Sequence, residues 1–192
     1  MDVQGRHAVR RAAALLAAAS VVWLAGRGLE ARQARTEYEL KAAYLYSFGR
    51  FVEWPASDPK ADGDFTICVL GSDPFGPALD ATLAGVTLRG RKVVGKRLAT
   101  AAGAADCHIL FISASEERQL EAIIAGLGRS GVLTVSDMPR FVGRGGMIQF
   151  VMSSGRVRFE IDLRPARGAG LMLSSELLRV ASAVRADREP GE

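Results

Sequence analysis

Few residues of this chain have the types and spacing that catalysis needs. Of its two histidines, His7 lies in the N-terminal segment and His108 directly follows Cys107. Ser–His–Asp catalysis requires a histidine held between a nucleophile and a carboxylate. His108 instead begins an apolar stretch, and the Gly-x-Ser-x-Gly nucleophile elbow is missing from the sequence. We interpret His108 as a buried core residue and predict no enzymatic activity.

The sulfur chemistry is limited to Cys68 and Cys107, the two cysteines of the sequence. With a single histidine outside the N-terminal segment, they make no convincing zinc site, so we predict no metal and no cofactor. Both cysteines fall in apolar stretches that are expected to form neighbouring strands. A disulfide between them is one interpretation, and two buried free thiols that pack as small apolar groups are the other.

A loop with the sequence "GSDPFG", Gly71–Gly76, is the candidate ligand site. It follows an apolar strand and precedes a helix, where open α/β sheets commonly bind ligands. The candidate ligand residues are Gly71, Ser72, Asp73 and Gly76. A phosphate-binding loop would continue with Lys and Ser or Thr, but Pro77 and Ala78 stand there. A rigid strand-to-helix turn is therefore the favoured interpretation, and a ligand loop is the alternative.

Positive charge is concentrated in "LRGRKVVGKR", residues 88–97. Such a stretch suits an acidic partner or lipid headgroups, but charge on an edge strand also prevents edge-to-edge aggregation. No aromatic residue lies between these charges, so binding of single-stranded nucleic acid is not supported. The residues concerned are Arg89, Arg91, Lys92, Lys96 and Arg97.

The N-terminal segment has the pattern of a secretory signal. Residues 12–25 are apolar without interruption and follow four basic or histidine residues, Arg6, His7, Arg10 and Arg11. The run is shorter than the roughly 20 residues of a membrane-spanning helix. We predict that residues 1–34 are a signal peptide with an uncertain cut site and that the protein is periplasmic; an uncut membrane anchor is the alternative.

The elements that would position these residues alternate between strands and helices. Buried strands are predicted at 65–71, 107–113 and 131–137, an edge strand at 91–98, and helices after Gly76 and at 115–128. A hairpin is predicted at 147–163, followed by a helix from about Leu171 with Leu173, Leu177, Val180 and Val184 facing inward. The order predicts an α/β fold, a three-layer sandwich with a mainly parallel sheet and an antiparallel edge hairpin. Residues 35–185 would form one domain, and 186–192 a flexible tail.

An aromatic helix opens this domain. Thr36 and Glu39 fit a capping box at its start, and Pro55 limits its end. Its predicted inward face holds Leu40, Tyr44, Leu45, Phe48, Phe51 and Val52. Three residues lie off this face or at its end and are the candidate partner-binding residues: Tyr46, Arg50 and Trp54.

The ordered segments "EYELKAAYLYSFGRFVEWP", "FTICVLGSDPFGPAL", "CHILFIS", "GVLTVSDMPRFVGRGGMIQFV" and "RVRFEIDLRPARGAGLMLSSELLRVA" together resemble the YfiR-like family of periplasmic proteins. The resemblance covers about residues 37–184. It implies a small, non-enzymatic regulatory domain that represses a membrane-bound diguanylate cyclase, the source of cyclic-di-GMP, by binding its periplasmic part. It also implies a homodimer, an outer-membrane lipoprotein as a second partner, and a site for a disulfide at Cys68 and Cys107.

Three hypotheses for function follow. The leading one is an exported regulatory binding protein that acts on an inner-membrane signalling protein. The alternative is a periplasmic small-ligand sensor or carrier that uses the loop Gly71–Gly76. A hydrolase is the third, and it lacks an assembled nucleophile and base.

Overall fold

The computed structural model describes residues 32–56 and 59–186. The backbone divides into two units after Glu37. The expected signal peptide and tail therefore lie almost entirely outside the described residues. In the first unit, residues 32–37 are helical, and the Thr36 hydroxyl donates a hydrogen bond to the Arg32 carbonyl at 3.1 Å. The predicted capping box is wrong, because Thr36 lies within a helix and bonds back to the preceding turn.

In the second unit, eight strands of the described residues form one sheet in the order β10-β8-β7-β6-β5-β2-β4-β3. Strands β4, β2, β5, β6 and β7 are mutually parallel, whereas β3 pairs with β4 and β8 with β7 in antiparallel fashion. The bounds are β2 Phe65–Leu70, β3 Thr87–Leu88, β4 Arg91–Leu98, β5 Ile109–Ile112, β6 Leu133–Ser136, β7 Ile148–Ser153, β8 Arg156–Asp162 and β10 Ala183–Arg185. A separate two-stranded ladder pairs β1 Val52–Glu53 with β9 Met172–Leu173.

Helices cover both faces of the sheet, as the three-layer prediction requires. Strand β2 is buried along its whole length: Ile67 and Val69 face one apolar cluster, and Cys68 and Leu70 face the other. Helix α1, residues 38–51, and α2, Pro77–Leu83, pack in the first cluster, and α3, Leu120–Leu127, packs in the second. The remaining helices are α4 Leu163–Gly168, α5 Ser175–Val180 and the 3-10 turns Ala104–Asp106, Ala114–Gln119 and Phe141–Arg144. The predicted α/β fold with a mostly parallel sheet is confirmed.

The predicted C-terminal helix is confirmed only for α5, Ser175–Val180, and is wrong on either side of it. From Leu163 the chain forms α4, β9, α5 and β10 in turn. Asp162 and Ser174 each start a new short helix by accepting a backbone N–H bond, and Gly170 takes a left-handed φ of +76° between them. Leu177 is buried as predicted and Leu173 partly buried, but Val180 and Val184 are 59% and 40% exposed.

Helix α1 buries a face rotated by one residue from the predicted one. Leu45 and Phe48 are fully buried as expected. Leu40, however, is 44% exposed, while Lys41 is only 3% exposed. The helix ends at residue 51, and Val52 begins β1, so Pro55 follows the helix as predicted.

Candidate functional site

The carboxyl-terminal ends of the parallel strands meet at one edge of the sheet, which we call the carboxyl edge. The loop Gly71–Gly76 leaves β2 there, Ser113 and Ser115 follow β5, and Asp137 follows β6. Open α/β sheets commonly bind ligands at this edge. The structure therefore places the predicted ligand loop where the fold allows a site.

The start of the loop is packed tightly against the segment after β5. Gly71 has a φ of +86°, and its N–H donates to the Leu98 carbonyl at 3.1 Å. The Ser72 N–H donates to Ser115 Oγ at 2.9 Å. A Cβ atom on Gly71 would collide with the Ser115 side chain. Glycine is thus required at position 71 by both its backbone angle and its neighbour.

The end of the loop is fastened by Arg97 at the end of β4. Its Nε donates to Asp73 Oδ2 at 2.9 Å, and its Nη2 to the Gly76 carbonyl at 2.9 Å. The same guanidinium makes a bidentate pair with Asp80 on α2 at 2.5 and 2.9 Å. The hydrogen bonds that Arg97 donates to Asp80, followed by the one that it donates to Asp73, raise the pKa of Arg97. The charge of Asp73 is therefore balanced within the protein.

A cluster of three side chains at the carboxyl edge was missed by the sequence reasoning. Lys41 Nζ donates to Asp137 Oδ2 at 2.7 Å, and the Tyr38 hydroxyl donates to the same oxygen at 2.8 Å. The Tyr38 ring meets the Phe75 ring edge-on at 5.4 Å, which joins the cluster to the loop. The spacing of Lys41 with Leu45 and Phe48, at i, i+4 and i+7, was the signal that could have revealed it.

The cysteine and histidine candidates are buried: Cys68 lies in β2, whereas Cys107 and His108 directly precede β5. Cys68 in β2 and Cys107, two residues before β5, form a disulfide with their Cα atoms 6.0 Å apart. His108 is 1% exposed, accepts the Thr66 N–H at Nδ1 at 3.0 Å, and stacks on Phe65 at 4.4 Å. The interpretation of His108 as a buried core residue is confirmed.

Most of the basic stretch is engaged within the protein. Arg91 donates to the carbonyls of Lys60 and Gly63, each at 2.5 Å, and of Asp64 at 3.0 Å. Arg89 donates to the Val52 carbonyl at 3.0 Å. Arg97 holds the loop end described above. Lys92 and Lys96 are exposed on β4.

The three candidate partner-binding residues differ in exposure. Tyr46 is half-buried against the core, and Arg50, one turn later, is exposed. Trp54 lies apart from them: its Nε1 donates to the Gly131 carbonyl at 2.8 Å and its ring meets Phe65 edge-on at 5.1 Å. The indole N–H of Trp54 therefore serves the fold.

Sequence reasoning also missed Met172, which is 64% exposed. It lies opposite Glu53 in the β1–β9 ladder, next to the end of α1. We call Arg50, Glu53 and Met172 the β1–β9 surface.

Within 32–56 and 59–186, no group of three or more His, Cys, Asp or Glu residues is placed to hold a metal ion. No helix in this part of the chain has the length and apolar character needed to cross a membrane.

Comparison with known proteins gives one family match, which covers residues 38–182 and is described as YfiR/HmsC-like. No curated protein matches the chain significantly. Similar solved structures include a conserved domain protein from Vibrio cholerae O1 biovar eltor, with 12% identity and a TM-score of 0.48 over 63% of this chain and 55% of that one. Another is an ABC domain in complex with L-Trp from Streptococcus pneumonia, with 12% identity and a TM-score of 0.47 over 62% and 54%. The chain spans about half the length of these solved chains.

Proposed function

Since the chain belongs to the YfiR/HmsC-like family, we propose that it is an exported, non-enzymatic regulator that binds the periplasmic part of an inner-membrane signalling protein. The observation that carries this proposal is the family match over residues 38–182, nearly the whole of the second unit. The family resemblance points to a diguanylate cyclase as the partner, so the protein would repress cyclic-di-GMP synthesis. It also points to a homodimer and to an outer-membrane lipoprotein that relieves the repression.

Export is supported by two features of the chain. The apolar residues 12–25 after a basic segment have the pattern of a signal peptide, so residues 35–185 would be the single exported domain. The disulfide between Cys68 and Cys107 suits an oxidising compartment such as the periplasm.

The β1–β9 surface is the proposed contact with the partner. Met172 is the most exposed of the large apolar side chains among the described residues. Glu53 lies opposite it in the ladder, Arg50 precedes Glu53 by three residues, and both are exposed as well. Methionine and arginine are enriched in the cores of protein–protein interfaces, which makes this combination a suitable contact. Tyr46, one turn before Arg50, would extend it.

Repression requires that the regulator bind one state of its partner more tightly than the other. A ligand with equal affinity for both states shifts no equilibrium. We therefore propose that the β1–β9 surface contacts a part of the cyclase that is present only in its inactive arrangement.

Copurification from membranes tests the proposal. Tagged protein should capture an inner-membrane signalling protein, and Met172→Asp should weaken the capture at least tenfold, since interface anchors typically contribute more than about 1.4 kcal/mol. Met152→Asp is the matched control, because Met152 is 48% exposed on β7, which belongs to the eight-stranded sheet and not to the β1–β9 ladder. Capture of no signalling protein would contradict the function, and equal loss in both variants would contradict the surface.

The second candidate function is a small-ligand sensor at the carboxyl edge. The observation that favours it is the cluster of Tyr38, Lys41 and Asp137 beside the loop Gly71–Gly76. A periplasmic metabolite bound there should raise the melting temperature of the purified protein, and Asp137→Asn should remove that shift. A melting temperature that no metabolite pool changes would count against this candidate.

A further inference from the structure

A cavity of about 510 Å³ is lined mainly by arginine side chains. Its lining consists of Arg140, Gly143, Arg144 and Arg185. The first three belong to the segment between β6 and β7, and Arg185 ends β10. The cavity therefore brings an edge strand of the sheet together with a 3-10 turn.

Arg144 forms a neutralised wall of this cavity. Its Nε donates to Glu121 Oε1 at 2.9 Å, and its Nη1 donates to Glu117 Oε1 at 3.3 Å. The hydrogen bond from Arg144 holds the pKa of Glu121 below its ordinary value. With two carboxylates on one guanidinium, Arg144 fixes the shape of the cavity and adds little net charge to it.

Arg140 and Arg185 differ from Arg144, because neither guanidinium makes a hydrogen bond or ion pair within residues 32–56 and 59–186. Arg185 pairs in register with Asp162 of β8. The Asp162 carboxylate, however, is held by Arg164 at 3.0 and 2.5 Å. Burial raises the pKa of Asp162, but the hydrogen bonds from Arg164 outweigh it and hold the pKa below its ordinary value, with a smaller contribution from Arg185. Two guanidiniums thus face the cavity region without a dedicated carboxylate.

Gly143 lines the cavity next to Arg185. A Cβ atom at this position would lie 3.9 Å from Arg185 Nη1, in van der Waals contact with the guanidinium. The Gly143 N–H donates to the Arg140 carbonyl at 2.9 Å, which fixes the turn that carries Arg140. The volume exceeds what a single phosphate group needs and leaves room for an organic substituent.

We propose that this cavity binds a phosphate monoester, whose phosphoryl group is held by Arg140 and Arg185. A phosphate monoester carries about −1.5 to −2 charges at neutral pH, which suits two guanidiniums that lack a dedicated carboxylate. Guanidinium groups bind phosphate oxygens in bidentate fashion. The ligand would link β10 to the turn before β7 and so stabilise β10, which in the described structure pairs only with β8.

Calorimetric titration of the purified full chain with phenyl phosphate, inorganic phosphate and succinate, at constant ionic strength set with chloride, tests this proposal. Phenyl phosphate should bind at least as tightly as inorganic phosphate, and both should bind more tightly than succinate. Hydrogen exchange at the amides of Val184 and Arg185 should slow at saturating phenyl phosphate, since the bound ligand tethers β10.

Three variants locate the site. Arg140→Gly and Arg185→Gln should each weaken phenyl phosphate binding at least tenfold. Arg140→Gly should also fold well, because Arg140 has a φ of +61° that glycine adopts without strain. Arg156→Gln is the matched control: Arg156 is an exposed arginine at the opposite end of β8, about 20 Å from Asp162 along the strand. It should leave the affinity unchanged.

Several results would overturn the proposal. These are the absence of phosphate binding above the chloride reference, equal losses in Arg140→Gly, Arg185→Gln and the Arg156 control, and tighter binding of succinate than of either phosphate. Weaker binding of phenyl phosphate than of inorganic phosphate would overturn the assignment of a monoester.

Discussion

The two ends of strand β4 each carry an arginine with several hydrogen bonds, but the partners differ in kind. At the amino end, Arg91 donates to the backbone carbonyls of Lys60, Gly63 and Asp64 and lies 3.0 Å from His108 Nε2. At the carboxyl end, Arg97 bonds mainly to the carboxylates of two residues, Asp73 and Asp80. One end is held mainly by backbone carbonyls and the other mainly by side-chain carboxylates.

This difference suggests different roles for the two ends of β4: the amino end stabilises the fold, and the carboxyl end can respond to its surroundings. Carbonyl groups do not titrate, and the carbonyls around Arg91 are contributed by the segment before β2 whatever its side chains are. Ion pairs of carboxylates depend on pH, are weakened by salt, and can be replaced by contacts with a ligand. The carboxyl end of β4 is therefore the more adjustable of the two, and it adjoins the loop Gly71–Gly76.

The largest effect should come from the disulfide, because residues 68–107 include the whole of β4 and hence both ends. Replacing Cys68 and Cys107 by alanine should lower the free energy of unfolding by about 3–4 kcal/mol, since the bond closes a long loop in the unfolded chain. Urea unfolding measures the change, and added reductant should reproduce it in the parent protein. An unchanged unfolding midpoint would show that β4 is held in place by its ends alone.

Arg91→Ala should have the next largest effect. It leaves three carbonyl groups without their charged donor, and we expect a loss of about 2–3 kcal/mol in the free energy of unfolding. Arg91→Lys should recover only a minor part, because an ammonium group cannot reproduce the planar fork of donors. Full recovery with lysine would show that charge, and not geometry, matters at the amino end.

Arg97→Ala should cost less, about 0.5–1.5 kcal/mol, because Asp80 is 62% exposed and solvent screens the pair. A double-mutant cycle with Asp80→Ala should give a coupling of about 0.5–1 kcal/mol. A loss as large as that for Arg91→Ala would remove the contrast between the two ends.

The smallest effect is a difference in salt dependence. Raising the salt concentration from about 0.05 to 0.5 M should reduce the stability lost in Arg97→Ala by a few tenths of a kcal/mol, since the Debye length becomes shorter. The loss in Arg91→Ala should stay nearly constant, because three of its partners are uncharged carbonyls. Urea unfolding of both variants at the two concentrations checks this, and parallel salt responses would contradict it.

The sequence predicted the central strands because their signal is local. The runs at 65–71, 107–113 and 131–137 are apolar and β-branched, and their strands β2, β5 and β6 are buried in the sheet. The alternating residues before Asp162 likewise predicted β8. The prediction failed for the segment after Leu163, because "LMLSSELLRVA" also fits a helical period. The division of this segment into β9, α5 and β10 depends on pairing of β9 with β1 and of β10 with β8.

The candidate site was predictable only in its position. The loop Gly71–Gly76 was found because a strand precedes it and a helix follows it. The link between Lys41 and Asp137, 96 residues apart in sequence, arises from the packing of α1 on the sheet. The carbonyl partners of Arg91 have no sequence signature, because a carbonyl is present at every residue.

The most direct test of the central claim is the cellular level of cyclic-di-GMP in a strain that lacks this protein but expresses its partner cyclase. The account predicts that the level rises on deletion. Restoring the parent protein or Met152→Asp should lower it again, whereas Met172→Asp should not. An unchanged level in the deletion strain would contradict the proposed repression of a diguanylate cyclase.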